Sequence, residues 1–358
     1  MILDVIAGAR PNYVKVAALY HAWAESARFR KAIQFRLIET GQHTDTRLSL
    51  EIARQLGLPV PYQQLAAQTG HPSLLTASIL QAYSTHLQSD PPDRVLVVGD
   101  VTSTLACALA ARQGGVPVAH VEAGLRSHDE SMPEELNRQL TDHLSDLLFT
   151  TSERAVQNLM QEGIAAGRIQ LVGNTMIDTL KRFKAQATPP AEAEPLQLEA
   201  NRFFLLTLHR PSNVDHEDSF LNLVQTLCEA LQPFPVVLPV HPRTAAVLGR
   251  AAIPDNLQLI APQPYLEFLW LLQHSRGVLT DSGGVSEEAT YLQKPCLILR
   301  ATTERPETVE TGSGELERED PERLMQLLAK LKVSAWKQGQ LPPLWDGHAA
   351  DRILAALH

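Results

Sequence analysis

The stretch His120–Arg138, HVEAGLRSHDESMPEELNR, holds Glu122, Asp129, Glu130, Glu134 and Glu135 within 19 residues. Five carboxylates so close together suit a solvated face, helix capping or acid/base chemistry. PVAHVEAG reads as a strand, so Glu122 falls at a strand end, where a carboxylate is costly unless paired or functional. Ser131-x-x-Glu134 fits a capping box, Pro133 fits the first helical turn, and Glu134 and Arg138 stand at i, i+4. On local grounds capping outweighs catalysis for Glu134. The same holds for Asp100 in VLVVGDVTSTLA, which spacing alone assigns to a helix cap. His120-x-Glu122 has no third ligand or HExxH context, so no metal is expected.

Other turns carry cations and small residues. IAGARPNYVK places Gly8, Arg10 and Lys15 at a strand-to-helix turn. Free N–H groups and two cations there could hold a phosphate, or simply face solvent. FFLLTLHRPSN delivers His209 and Arg210 off a buried strand, and PVVLPVHPR repeats the device with His241 and Arg243. Imidazoles at consecutive strand ends suit proton transfer or phosphate donation. GVLTDSGGVSEEATYL is the most informative turn: Ser282, Gly283 and Gly284 open a helix whose N–H groups and dipole suit a diphosphate. Glu287 and Glu288 read as first-turn residues, complementing the dipole or accepting from ribose hydroxyls. Arg300 and Arg305 follow in RATTERPETVETG.

These positions need strands that end at one edge. Apolar runs ILDVIAG, FRLIET, RVLVVGD, PVAHVEAG, DLLFTTS and IQLVGN alternate with amphipathic stretches. After the Pro/Ala/Glu-rich ATPPAEAEPLQLEANR the pattern restarts with FFLLTLHR, PVVLPVH, LQLIAPQ, GVLTDSGG and PCLILRA. Short continuous apolar strands between helices indicate buried parallel sheets, and two series indicate two doubly wound α/β domains facing a central cleft. The expected division is 1–174, joined by a C-terminal helix 345–358, and 175–344. At 358 residues a two-domain chain is the default. A net charge of −9 argues against a nucleic-acid partner. No apolar stretch approaches the roughly 18 residues of a membrane span. Cys107, Cys228 and Cys296 are scattered, which suits reduced core cysteines in a cytoplasmic protein. No GxGxxG or GxxxxGK[ST] occurs, so neither a dinucleotide cofactor nor a P-loop is expected.

With these residues laid out, the chain resembles the UDP-N-acetylglucosamine 2-epimerase family over nearly its whole length. The motifs GARPNYVK, TGQHTD, VVGDVTSTLA, HVEAGLRS, MPEELNR, VGNTMID, LHRPSN, PVHPR, TDSGGVSEEA and RATTERPE recur in the family's order. The resemblance implies a GT-B architecture of two Rossmann-like domains, a UDP-sugar substrate, no cofactor and a homodimer. It implies acid/base roles for Asp100, Glu122 and Glu134, and a catalytic, diphosphate-contacting role for His209. Arg10 and Lys15 match cations that sense UDP release. Ser282, Gly283 and Gly284 match the phosphate turn, Glu288 the ribose ligand, and Gln263 and Phe268 the uracil contacts. Arg305 and, more weakly, His241 match further substrate-binding positions. The segment AAQTGHPSLLTAS lacks the Arg-Gln pattern with which some members bind a second substrate molecule as activator. A hydrolysing epimerase, a UDP-diacetamido-uronate epimerase and a GT-B glycosyltransferase are the alternatives.

Overall fold

The computed structural model describes residues 1–42, 46–67, 70–214, 216–240, 244, 248 and 254–358. The chain divides into two units, Met1–Arg182 with Pro343–His358, and Phe183–Pro342.

The first unit is built on seven parallel strands: β1 Ile2–Ala7, β2 Gln34–Glu39, β3 Gln63–Gln64, β4 Arg94–Val98, β5 Val118–Val121, β6 Leu147–Thr150 and β7 Ile169–Leu171. Their order is β3-β2-β1-β4-β5-β6-β7. The second has six: β8 Phe204–Thr207, β9 Val236–Pro239, β10 Leu257–Ile260, β11 Gly277–Thr280, β12 Cys296–Ile298 and β13 Gly314–Leu316, in the order β10-β9-β8-β11-β12-β13. Both are doubly wound Rossmann-like sheets, the pair of domains of the GT-B class. Each has a topological switch, between β1 and β4 in one and between β8 and β11 in the other. Ligand sites of such sheets gather beyond the carboxyl ends of strands at that point.

The strands form where they do because both sheet faces are covered, so an unbroken apolar run is buried throughout. Ile6, Ile38, Val95, Val97 and Val118 pack with Ile79, Tyr83 and Cys107 of flanking helices. In the second unit Phe204, Leu206, Leu238, Leu279 and Leu297 pack with Phe220, Leu227 and Leu331. All three cysteines are buried and free. The two strands absent from the sequence reading, β3 and β13, are short edge strands without an apolar run, and neighbouring backbone alone defines them.

The closing helix Ala349–Leu357 belongs to the first unit. Asp178 accepts a hydrogen bond from Ala350 N at its N-terminus, and Arg352 donates to Val172 O. Trp345, just before it, is buried and donates to Thr151 O. No helix among the described residues is long and apolar enough to cross a membrane.

Candidate active site

In the first unit the residues beyond β1, β4 and β5 converge. Lys15 Nζ lies 2.5 Å from Glu122 Oε2, with both side chains buried. Gly99, just past β4, faces the pair: a Cβ there would stand 3.0 Å from Lys15 Nζ and 3.8 Å from Glu122 Oε2. Glu122 itself adopts φ +69°, a left-handed conformation that costs a non-glycine residue energy and persists only where surroundings hold it.

Asp100 does not cap the helix Thr102–Gln113. Its N-cap is Val101, and the Ser103 N–H is instead satisfied by Gln42 Oε1 at 3.0 Å. The Asp100 carboxylate turns to Arg138 Nη1 at 2.5 Å, and its carbonyl accepts from Asn137 Nδ2. The capping box at Glu134 is absent as well. The N-cap of Pro133–Leu144 is Met132, and the Ser131 hydroxyl donates to Asp129. Nor does Arg138 pair with Glu134. It pairs with Glu135 at 2.6 Å, while Glu135 also accepts from Ser127 N and His128 N and so pins the preceding loop. Glu134, Asn137 and Arg138 share one helix face by their i, i+3, i+4 spacing, and the last two reach Asp100. Glu134 is half-buried on that face.

The first turn differs from the phosphate cradle its sequence allows. Gly8 N and Ala9 N both donate to Asn12 Oδ1, whose Nδ2 donates to Val98 O. A Cβ on Gly8 would lie 1.8 Å from Ser103 Oγ, so this glycine serves chain packing. Arg10 is exposed, whereas Lys15 is committed to Glu122.

In the second unit His209 follows β8 and Asp281 follows β11, the two strands flanking the switch. His209 Nδ1 lies 2.6 Å from Asp281 Oδ1, and Asp281 also accepts from the backbone N–H groups of His209 and Arg210 and from Asn213 Nδ2. Burial pushes the Asp281 carboxyl up, but these donors outweigh it and hold it below the usual carboxylate range. With Nδ1 tied to Asp281 and 61% of the side chain exposed, His209 presents Nε2 for chemistry. Asp281, in TDSGG, was not singled out from the sequence. Its position directly after a buried strand was the available signal.

Ser282 is the N-cap of the helix Gly283–Tyr291, its side chain accepting from Val285 N. Glu287 and Glu288 lie beyond the first turn, so neither complements the dipole there. Glu287 pairs with Arg305 Nε at 2.7 Å. Glu288 accepts from the Tyr265 hydroxyl at 3.0 Å, and burial pushes its carboxyl up to about 7. Gly283 has a reason the sequence does not show: a Cβ would meet Arg305 Nη1 at 2.5 Å and Glu304 Oε1 at 2.6 Å. Arg300 and Arg305 both pair with Glu304, with Arg210 at 3.6 Å, so three cations gather beside this helix start. Tyr265 stands one turn before Phe268, and Gln263 precedes the same helix, so the residues matched to ribose and uracil are neighbours. His241 lies outside the described residues. Among the described residues no group of three His, Cys, Asp or Glu is placed to hold a metal.

The model for UDP-N-acetylglucosamine 2-epimerases matches residues 26–358. The chain belongs to the UDP-N-acetylglucosamine 2-epimerase family. It is 42% identical over 318 residues to the UDP-2,3-diacetamido-2,3-dideoxy-D-glucuronate 2-epimerase of Pseudomonas aeruginosa, covering 88% of this chain and 87% of that one. It is 36% identical to the UDP-N-acetylglucosamine 2-epimerase of Escherichia coli, covering 98% and 96%. Among solved structures it is similar to the Methanocaldococcus jannaschii epimerase in complex with UDP-GlcNAc and UDP. There the TM-score is 0.89 at 35% identity, with 100% and 99% covered. A lipopolysaccharide outer core galactosyltransferase, 14% identical with a TM-score of 0.55, shares the fold alone.

Proposed function

We propose that this protein is a non-hydrolysing epimerase that interconverts UDP-N-acetylglucosamine and UDP-N-acetylmannosamine. The observation that carries the reading is the release of Asp100 and Glu134 from capping, beside a buried Glu122 paired with Lys15.

The C2 proton of an N-acetylhexosamine is poorly acidic, because no carbonyl adjoins C2. In the proposed reaction the C1–O bond to UDP breaks and its electrons leave with the diphosphate. A carboxylate takes the C2 proton, and its C–H electrons form the C1=C2 double bond of 2-acetamidoglucal. UDP then re-adds at C1 while a carboxylic acid protonates the opposite face of C2, so atoms and charge balance and only the configuration changes. Asp100, Glu122 and Glu134 supply the base and acid. Arg305, Arg300 and the Ser282–Gly284 helix start would steady the departing diphosphate. His209, oriented by Asp281, would donate to it. Glu288 would accept from the ribose, and Gln263 and Phe268 would hold the uracil.

The 42% identity to a diacetamido-uronate epimerase supports a second reading in which the sugar carries a C6 carboxylate and a second acetamido group. Each UDP-sugar, incubated with the enzyme in D2O and followed by NMR, separates the two. Deuterium at C2 in a mixture of two epimers supports the corresponding substrate. Free N-acetylmannosamine indicates hydrolysis, and unchanged sugars in both arms reject the epimerase.

A further inference from the structure

Behind the proposed carboxylates lies a buried pair that the reaction itself does not use. Asp142, in the helix Pro133–Leu144, is fully buried and employs both oxygens. Oδ1 meets His120 Nδ1 at 2.7 Å, and Oδ2 accepts from Gly124 N at 3.1 Å and from Arg126 Nη2 at 2.7 Å. His120 and Gly124 stand two residues before and two after Glu122, so one carboxylate grips both sides of the left-handed corner. The second ring nitrogen of His120, Nε2, lies 2.8 Å from Gly99 O, the carbonyl that immediately precedes Asp100.

We propose that Asp142 and His120 are a positioning pair that clamps the strained Glu122 corner and ties it to the β4 end carrying Asp100. The pair thereby sets the separation and aim of two carboxylates that act on the sugar. The proposal rests on the epimerase reading for what those carboxylates do. A carbonyl oxygen has no proton to give, so His120 Nε2 must be the donor there. Asp142 Oδ1 holds the other ring nitrogen, Nδ1. Burial raises the Asp142 carboxyl, but His120 and Arg126 outweigh it and hold it below the usual range. Asp142 and the Gly99 carbonyl thus hold the ring at both nitrogens, which fixes its orientation. The charged groups around it are Asp142 and Arg126, with Glu162 beyond Arg126 at 2.6 Å, and the Lys15–Glu122 pair at the same corner.

Two measurements test it. Long-range ¹H–¹⁵N spectra of the histidine-labelled enzyme, with His120 assigned through H120Q, should show Nε2 of His120 carrying a proton, as the Gly99 carbonyl requires. A bare Nε2 on His120 overturns the clamp. In D2O, H120Q and D142N should exchange the C2 proton about 10- to 100-fold more slowly than wild type, the usual cost of losing such a support. Their affinity for UDP should stay within about twofold, since the groups proposed to hold its diphosphate, ribose and uracil lie in the other unit. A lower melting temperature with an unchanged exchange rate would reduce the pair to a structural role and overturn the proposal. Absence of C2 exchange in wild type rejects the epimerase reading instead, and the ring-nitrogen spectrum, which needs no turnover, still decides the clamp.

Discussion

At the scale of single residues, function follows from which donors a carboxylate faces. Asp281 holds the Nδ1 side of His209, and that orientation is what leaves Nε2 available. Replacing Asp281 by Asn removes the charge and the tautomer preference; kcat should fall by about 100-fold or more, as when the orienting acid of other histidine bases is lost. Steady-state kinetics beside a UDP titration checks this, and an unchanged kcat would remove His209 from catalysis. Glu288 makes a pH prediction. Its carboxyl is raised by burial from 4.5 to about 7 in the folded protein. Its stability contribution is therefore complete below pH 4.5 and is lost as pH rises through about 7, because the folded state holds a proton that the unfolded chain has released. If ribose hydroxyls donate to Glu288, they favour its ionised form. UDP should then bind more tightly at pH 8 than at pH 6, with proton release near neutrality. Calorimetry in buffers of different ionisation enthalpy reads that proton, and E288Q should abolish it.

At the scale of elements, corners between strand and helix carry the strain. Gly124 has φ +80°, and a Cβ there would lie 2.3 Å from the Ala155 carbonyl oxygen. That neighbour is backbone and cannot swing aside. Gly124→Ala should destabilise the protein by more than about 2 kcal/mol, measured by urea unfolding. Gly283→Ala meets the movable end of Arg305 instead. It should weaken UDP binding while leaving the melting temperature within a few degrees, and equal affinity would show that Arg305 is not needed where it stands. Both glycines were visible in sequence, but only neighbours distant along the chain distinguish the two cases.

At the scale of the whole molecule, the last helix belongs to the unit where the chain begins. Trp345, Ile353, Leu354 and Leu357 are buried there, and Asp178 caps the helix. Burial of four such side chains stabilises by roughly 6 kcal/mol or more, comparable to the about 5–15 kcal/mol of a typical domain. A chain ending at Pro342 should therefore lose the cooperative unfolding of the first unit. Hydrogen exchange would show β1 and β7 unprotected. Retained protection would mean that the closing helix is dispensable.

Strand positions, the two parallel sheets and the strand-end placement of Asp100, Glu122 and His209 were legible in sequence, because an apolar run buried on both faces leaves a pattern in its own residues. The capping assignments for Asp100 and Glu134 were not recoverable that way. Cap signals are local and cheap, and here other partners override them: Gln42 for one helix start and Arg138 for Asp100, both distant along the chain, and Asp129, two residues away, for the Ser131 hydroxyl. The HVEAGLRSHDESMPEELNR carboxylates therefore separate only in three dimensions. Glu135 holds the loop, Asp129 holds Ser131, Glu122 meets Lys15, and Glu134 stays half-buried on the helix face whose Asn137 and Arg138 reach Asp100. Residue type and spacing determined what could do chemistry. The hydrogen bonds and ion pairs made in the folded chain decided which carboxylates were already engaged in holding the fold.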